Sequence, residues 1–319
     1  IKAALRQPAG TTPLSEKRLG GKKIIIIVDD NTRPTPVSRF FHLVTEALTA
    51  AGGETADMLV IPALGIHTPM TEAEMAEKIG AANLARIPWE NHRAFDPDAN
   101  AFMGNTRRGT PVSLNRRLAE ADLIVLIGLI EPHLMAGFGG GLKNILPGVA
   151  SAETIGRHHE ILTEPPYQAN RVGRLPEQNS FRLDLEECRG MIRADIFCVN
   201  VALNHNRTVI ACFAGDPIAA HRAGIRFTLD RSGLEMSGQV DGVIVNAHPM
   251  DINFKQSMKC VGNALPALKP GGTVMGFLRA EKGLDDIPEP KRSPPPQPVV
   301  NQTQRMIGPS RVYAFLKPT

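Results

Sequence analysis

Ile24 to Val28 is an unbroken run of five β-branched apolar residues, set between Gly20-Gly21 and Asp29-Asp30. The run shows no alternation, so both faces of the segment are apolar and both need cover. A short strand buried on both faces belongs in a parallel sheet flanked by helices. The residues that follow supply that cover. Past Pro36, Val37, Phe40, Phe41, Val44 and Leu48 fall on one helical face, and Gly52-Gly53 ends the pattern. Met58 to Ile61 then reads as the next strand, completing a β-loop-α-β unit.

The pattern recurs. Leu123 to Leu129 is a second doubly buried strand, ending at Glu131-Pro132-His133. Ile196 to Leu203 and Thr208 to Phe213 are strands separated by "NHNR", which predicts a hairpin. Val243 to Val245 and Val274 to Leu278 are further strands, with a helix predicted over Phe254 to Leu268 between them. The proline-rich stretch Ile287 to Pro298 excludes regular structure and reads as a surface loop. Val312 to Leu316 is a last strand. A chain of 319 residues exceeds one average domain. The expectation is an α/β protein of two α/β domains with largely parallel sheets and the active site in the cleft between them. The boundary is placed near Ser232 to Gly238, giving an N-terminal domain over 1–232 and a C-terminal domain over 233–319. The last strand is expected to be able to pack back on the first domain.

Charge and cysteine usage narrow the partners. The net charge is +4 with both signs interspersed, which argues against nucleic acid. Arg107-Arg108 and Arg116-Arg117 lack aromatic neighbours and read as a solvated face. No apolar run approaches the ~18 residues of a membrane span, and the first residues lack an apolar signal-peptide core. Cys188, Cys198, Cys212 and Cys260 form no C-x-x-C pair. They read as buried reduced thiols of a cytoplasmic protein.

In parallel α/β sheets, ligands sit outside the carboxyl ends of the strands, and four polar motifs fall there. "DDNTRPTP", Asp29 to Pro36, is expected at a helix N-terminus suited to anions, with Arg33 able to grip a carboxylate through two parallel hydrogen bonds. "GIHTPMTEAE", Gly65 to Glu74, contains a Thr71/Glu74 capping box that leaves His67 unexplained on the preceding loop. "EPHLMAGFGGGLKNILPG" joins His133, a glycine cluster and Lys143. It has neither the P-loop lysine position nor the G-x-G-x-x-G spacing, leaving a backbone that can approach a ligand closely with one lysine beside it. "HHE", His158 to Glu160, offers one histidine to a metal while its neighbour points elsewhere. The absence of H-x-x-x-H spacing argues against a zinc protease. Histidines on such loops suit general acid-base work, because their pKa lies near operating pH.

Taken in order, "DDNTRPTP", "GIHTPMTEAE", "PHLMAGFGGGLKNILPG", "ETIGRHHE" and "DINFKQSMK" resemble the nickel-dependent lactate racemase family, from about Ile24 to Lys259. The resemblance implies a nickel pincer nucleotide and inversion of the C2 carbon of a 2-hydroxy acid by hydride transfer to and from it. It implies His67 and His133 as the catalytic pair, alternating as general acid and base. It implies that Asp30, Arg33, Gln256 and Lys259 bind substrate. It implies that Thr32, Gly139, Gly140, Gly141 and Lys143 bind the cofactor, with Lys143 able to attach covalently, and that His159 ligates nickel. Enzymes that build the cofactor are implied as loading partners, and a homo-oligomer is compatible with the reading. Where the family often has "GFSGG", this chain has Gly139. His158 stands where Asn is common, and Lys255 where an aromatic is frequent. A third cation beside Arg33 and Lys259 would favour a substrate with a second acidic group or many hydroxyls. The competing readings are a zinc-type metal hydrolase and a cofactor-binding homologue without turnover.

Overall fold

The computed structural model describes residues 1–163, 172–233, 236–248, 251, 253–280 and, as backbone, 311–316. Two parallel-stranded sheets organise them. In the first sheet, β1 (Ile24–Asp29), β2 (Met58–Ala63), β5 (Leu123–Leu129), β6 (Asp195–Leu203) and β7 (Val209–Gly215) lie in the order β2-β1-β5-β6-β7. All pairings are parallel except β6 with β7, the hairpin that "NHNR" predicts. A separate antiparallel pair, β3 (Asn100–Asn105) with β4 (Pro111–Asn115), was not legible in the sequence. Its residues lack a sustained apolar alternation.

The two faces of β1 enter different cores. Ile24, Ile26 and Val28 pack with Phe40, Phe41, Val44 and Leu48 on one side. Ile25 and Ile27 pack with Leu126, Leu142, Ile145 and Leu185 on the other. Each such side chain, fully removed from water, contributes about 1.5–3 kcal/mol. The helical cover on the first side differs from the expectation in its start. Val37–Arg39 is a 3-10 turn, and the α-helix α1 runs over Phe41–Ala50 with no side-chain cap. "DDNTRPTP" is therefore a loop beyond the end of β1 and not a helix N-terminus. What holds it is Lys78, on the helix α2 (Glu72–Ile79). The Lys78 ammonium pairs with Asp29 at 2.6 Å and donates to the carbonyls of Asp30 at 2.9 Å and Arg33 at 3.1 Å. The Thr71/Glu74 capping box that starts α2 is present as predicted.

Among the longer helices of the first layer system are also α3 (Ala152–Glu160), α4 (Ser180–Glu187) and α5 (Pro217–Ser232). The second sheet comprises β8 (Val240–Asn246), β9 (Leu268–Leu278) and β10 (Arg311–Leu316), all parallel in that order. The last strand thus pairs with β9 and does not return to the first sheet. The single helix predicted over Phe254 to Leu268 is broken into α6 (Phe254–Ser257), α7 (Lys259–Ala264) and a 3-10 turn at Leu265–Ala267. Pro266 has no N–H to continue an α-helix, which forces the tighter turn. The proline-rich stretch at 287–298 lies outside the described residues. The described cysteines are all free thiols. No helix among the described residues is long and apolar enough to cross a membrane.

Lys78 and Asp29 are both buried, so removing one partner leaves an uncompensated charge. Lys78→Met is expected to cost about 3–5 kcal/mol in urea unfolding, with Lys78→Met/Asp29→Asn recovering a large part. A loss below about 1 kcal/mol would contradict this role for the pair.

Candidate active site

A cleft open to solvent lies beyond the carboxyl ends of β1, β2 and β5. It brings together nine of the residues singled out from the sequence: Asp30, Thr32, Arg33, His67, His133, Lys143, His159, Gln256 and Lys259. The last two come from α6 and α7. Gly262 lets α7 approach, since a Cβ there would stand 2.8 Å from the side chain of Leu134, next to His133.

The first motif forms one hydrogen-bonded chain. His67 Nδ1 lies 2.6 Å from Asp30 Oδ2. The other Asp30 oxygen accepts the Thr32 N–H at 3.1 Å and the Thr32 hydroxyl at 2.5 Å. The Thr32 hydroxyl in turn accepts from Arg33 at 3.1 Å, and Arg33 Nε pairs with Glu131 at 3.2 Å. Burial pulls the Asp30 carboxyl upward, yet His67, Arg33 and Thr32 together hold it down at about 2. A carboxylate so occupied orients His67 more readily than it binds substrate. Glu131 and Lys78 belong to this assembly, and sequence reasoning missed both. For Lys78 the signal was its place between Met75 and Ile79 on the buried face of a helix.

His133 stands on the opposite motif. Its Nδ1 accepts the backbone N–H groups of Met135 and Ala136, each at 3.2 Å. Burial, followed by the charges of Lys143, Lys259, Arg33 and Arg182, pushes its pKa well below the usual histidine range. Burial likewise pushes the Lys143 ammonium well down, reinforced by Arg33, Lys259 and Arg182. A lysine in such a place is a neutral amine, hence a nucleophile, at lower pH than a surface lysine.

Gly139, Gly140 and Gly141 do not line the cleft, contrary to the expected approach to a ligand. They pack behind it. A Cβ on Gly140 would stand 2.8 Å from Asn200 Oδ1, and one on Gly141 3.1 Å from the His221 ring. Both have positive φ, at 74° and 61°, which only glycine adopts freely. Their carbonyls are held from the rear. Arg182, fully buried, donates to Ala136 O and Gly140 O at 3.4 Å each and to Phe138 O. His221 Nε2 donates to Gly139 O at 2.8 Å, and Gly141 N donates to Asn200 Oδ1 at 3.0 Å. The glycines therefore set the loop posture that presents Lys143. Arg182 was overlooked because an arginine beside charged neighbours in "SFRLDLEE" reads as surface.

The two histidines of the pair on α3 occupy different surroundings. His158 is buried, with Nε2 donating to Phe181 O at 2.9 Å, and burial takes it down to about 3. His159 lines the cleft, with Nδ1 donating to Ile155 O at 2.7 Å. That bond leaves the lone pair on Nε2, the form a metal requires. Among the described residues no three His, Cys, Asp or Glu side chains converge on a metal position, so nothing here resembles a protein-built zinc site. The donor set fits a metal that arrives with most of its ligands. Gln256 adds to the fit. It is buried in the lining, and its Oε1 has no hydrogen-bond partner among the described residues. The Lys255 side chain lies outside the described residues.

The sequence model of the lactate racemase N-terminal domain matches residues 1–170. The chain is 30% identical over 303 residues to the lactate racemase of Lactiplantibacillus plantarum, covering 91% of this chain and 70% of that protein. It is 31% identical over 279 residues to the lactate racemase of Thermoanaerobacterium thermosaccharolyticum, covering 86% of this chain and 64% of the relative. The structure of the latter enzyme's apoprotein superposes with a TM-score of 0.79 at 30% identity, over 89% of this chain and 67% of that one. A Thermotoga maritima protein of solved structure shares the fold alone, with a TM-score of 0.69 at 23% identity over 86% of this chain and 71% of that one. By sequence and by fold, the chain belongs to the lactate racemase family.

Proposed function

We propose that the chain inverts the C2 carbon of a 2-hydroxy acid with the help of a nickel pincer nucleotide. The observation that carries this reading is the gathering of His67, His133, His159 and Lys143 around one cleft. His159 offers a neutral imidazole nitrogen to nickel, and the Lys143 amine can bond to the cofactor covalently. When bound, the cofactor would supply hydride-accepting and hydride-donating chemistry beside these residues. Arg33 and Lys259 hold the substrate carboxylate, and the orphan Oε1 of Gln256 accepts a donor from substrate or cofactor. His67 and His133 act on the hydroxyl group from the two motifs. Asp30 keeps His67 oriented and stabilises the imidazolium that forms on it. The sheets suggest two domains, 1–232 and 233–319, closing on the substrate and excluding water. Cofactor-building enzymes load the protein. The relatives are lactate racemases, so lactate heads the substrate screen, followed by malate and an aldonate.

Protein co-produced with the cofactor-building enzymes is expected to carry about one nickel per chain and to racemise one of these acids. His67→Ala should lower the rate by about 10²–10⁴-fold while retaining nickel. Nickel at background level, with the loading machinery active on a control, would overturn the reading, as would an undiminished rate in His67→Ala.

The Lys143 assignment has its own check in competitive acetylation of the unloaded chain across pH. A lowered pKa means that the neutral amine is already fully formed at lower pH. The Lys143 rate is therefore expected to plateau at lower pH than that of a free lysine model peptide. A plateau in the range of the model peptide would contradict a neutral amine in the cleft.

A further inference from the structure

A second cleft lies beyond the carboxyl ends of β5 and β6, two neighbouring parallel strands of the first sheet. Ligand crevices of parallel sheets form in this position. Its volume is about 460 Å³, within the range of about 300–1,000 Å³ typical of small-molecule sites. Its lining shares no residue with the cleft that holds His67 and His133. Phe227 and Arg231 bring in the end of α5, and His248, which follows β8, brings in the second sheet.

The lining is rich in positive charge. His205, Arg207, Arg231 and His248 are basic, and Glu131 is the one acidic side chain among them. The Glu131 carboxylate already pairs with Arg33 at 3.2 Å. His248 lies 3.5 Å from Asp251. Among the described residues, no carboxylate pairs with Arg207 or Arg231. Both guanidiniums are nevertheless placed. Arg231 lies over the Phe227 ring, 5.6 Å from its centroid, and Phe227 packs on Phe213 with ring centroids 5.5 Å apart. A guanidinium stacked by its face keeps its N–H edge for an anion. Arg207 ends the "NHNR" turn, its N–H donating to Asn204 O at 2.9 Å. Its φ of 57° is in the left-handed region, which glycine adopts freely and other residues at a cost. Beside these cations stands apolar surface from Phe227, Leu203 and Ile210, the last 47% exposed.

We infer that this second cleft binds a phosphate monoester with an apolar body. The two guanidiniums match the two negative charges that such a phosphate carries near neutral pH, and the histidines add donors. The apolar body covers Ile210, Phe227 and Leu203, which a bare inorganic ion would leave in water. Such a ligand touches residues of both sheets and lies one ion pair, Glu131 with Arg33, from the first cleft. The inference does not depend on the racemase reading.

Isothermal titration calorimetry of the unloaded chain with phenyl phosphate tests the site. Binding is expected, tighter than that of inorganic phosphate or benzoate by about tenfold, with amide NMR shifts at Asn204 to Arg207. Arg207→Gln/Arg231→Gln is expected to weaken it by about tenfold or more, whereas Lys259→Gln, in the other cleft, retains it. Both arginines are exposed, so the double variant is expected to stay folded. Arg207→Gly separates ligand contact from fold. It relieves the left-handed backbone, and is expected to keep or raise the urea midpoint while weakening phenyl phosphate. Absence of binding, equal affinity in the double variant, or loss of all binding in Lys259→Gln would overturn the inference. Inorganic phosphate or benzoate binding as tightly as phenyl phosphate would overturn the ligand class. In protein loaded with the cofactor of the proposed reading, binding is expected to persist, and displacement there would assign the cleft to the cofactor instead. Failure of the chain to load would count against the proposed function alone, because the titration of unloaded protein stands apart from it.

Discussion

One buried guanidinium sets the posture on which the cleft depends. Arg182 has no exposure to solvent and reaches three carbonyls of the segment between His133 and Lys143. Its charge is balanced through Glu186, which in turn holds Arg222. Burial pulls Arg182 only down to about 10, so it remains a cation near neutral pH. Each carbonyl it occupies would otherwise be a buried acceptor costing about 1–3 kcal/mol if left unmade. The loop is thus tied from behind by its oxygens, and its lysine and histidine stand forward. The positive-φ glycines matter because they let the chain lie flat against Asn200, Leu129 and His221 while this happens.

The same arrangement makes the cleft electropositive. Arg33 and Lys259 line it, and Arg182 lies behind. A site like this attracts anions and disfavours further protonation of the groups within it. The effect falls unevenly on the two histidines, because Asp30 matches His67 and no such carboxylate pairs with His133 among the described residues. Similar residues thereby acquire different chemistry from their hydrogen-bond partners.

How much of this was legible depended on whether the decisive neighbour lay close in sequence. The doubly buried strands could be read from Ile24 to Val28 and from Leu123 to Leu129, because burial on both faces leaves no room for a polar residue. The capping box at Thr71 and Glu74 is local, and so was readable. His159 could be preferred to His158 only through the resemblance, and the structure adds the reason: His158 is turned to the Phe181 carbonyl. Lys78 and Arg182 escaped notice because buried cations are rare, and nothing local reveals the carbonyls they satisfy. The glycines showed that backbone would come close to something. They did not show that the something was the protein's own α5 and β6. The helix over Phe254 to Leu268 was overextended by apolar spacing that outweighed the signal of Pro266.

The account stands or falls on whether the C2 hydrogen travels as a hydride within the cleft. The most direct measurement follows a single enantiomer of the accepted 2-hydroxy acid, labelled with deuterium at C2, through racemisation in ordinary water by the loaded chain. The account expects the opposite enantiomer to appear with deuterium still at C2, because the label leaves and returns without meeting solvent. Loss of the label to water at the rate of inversion would show proton removal from carbon, and would contradict the account.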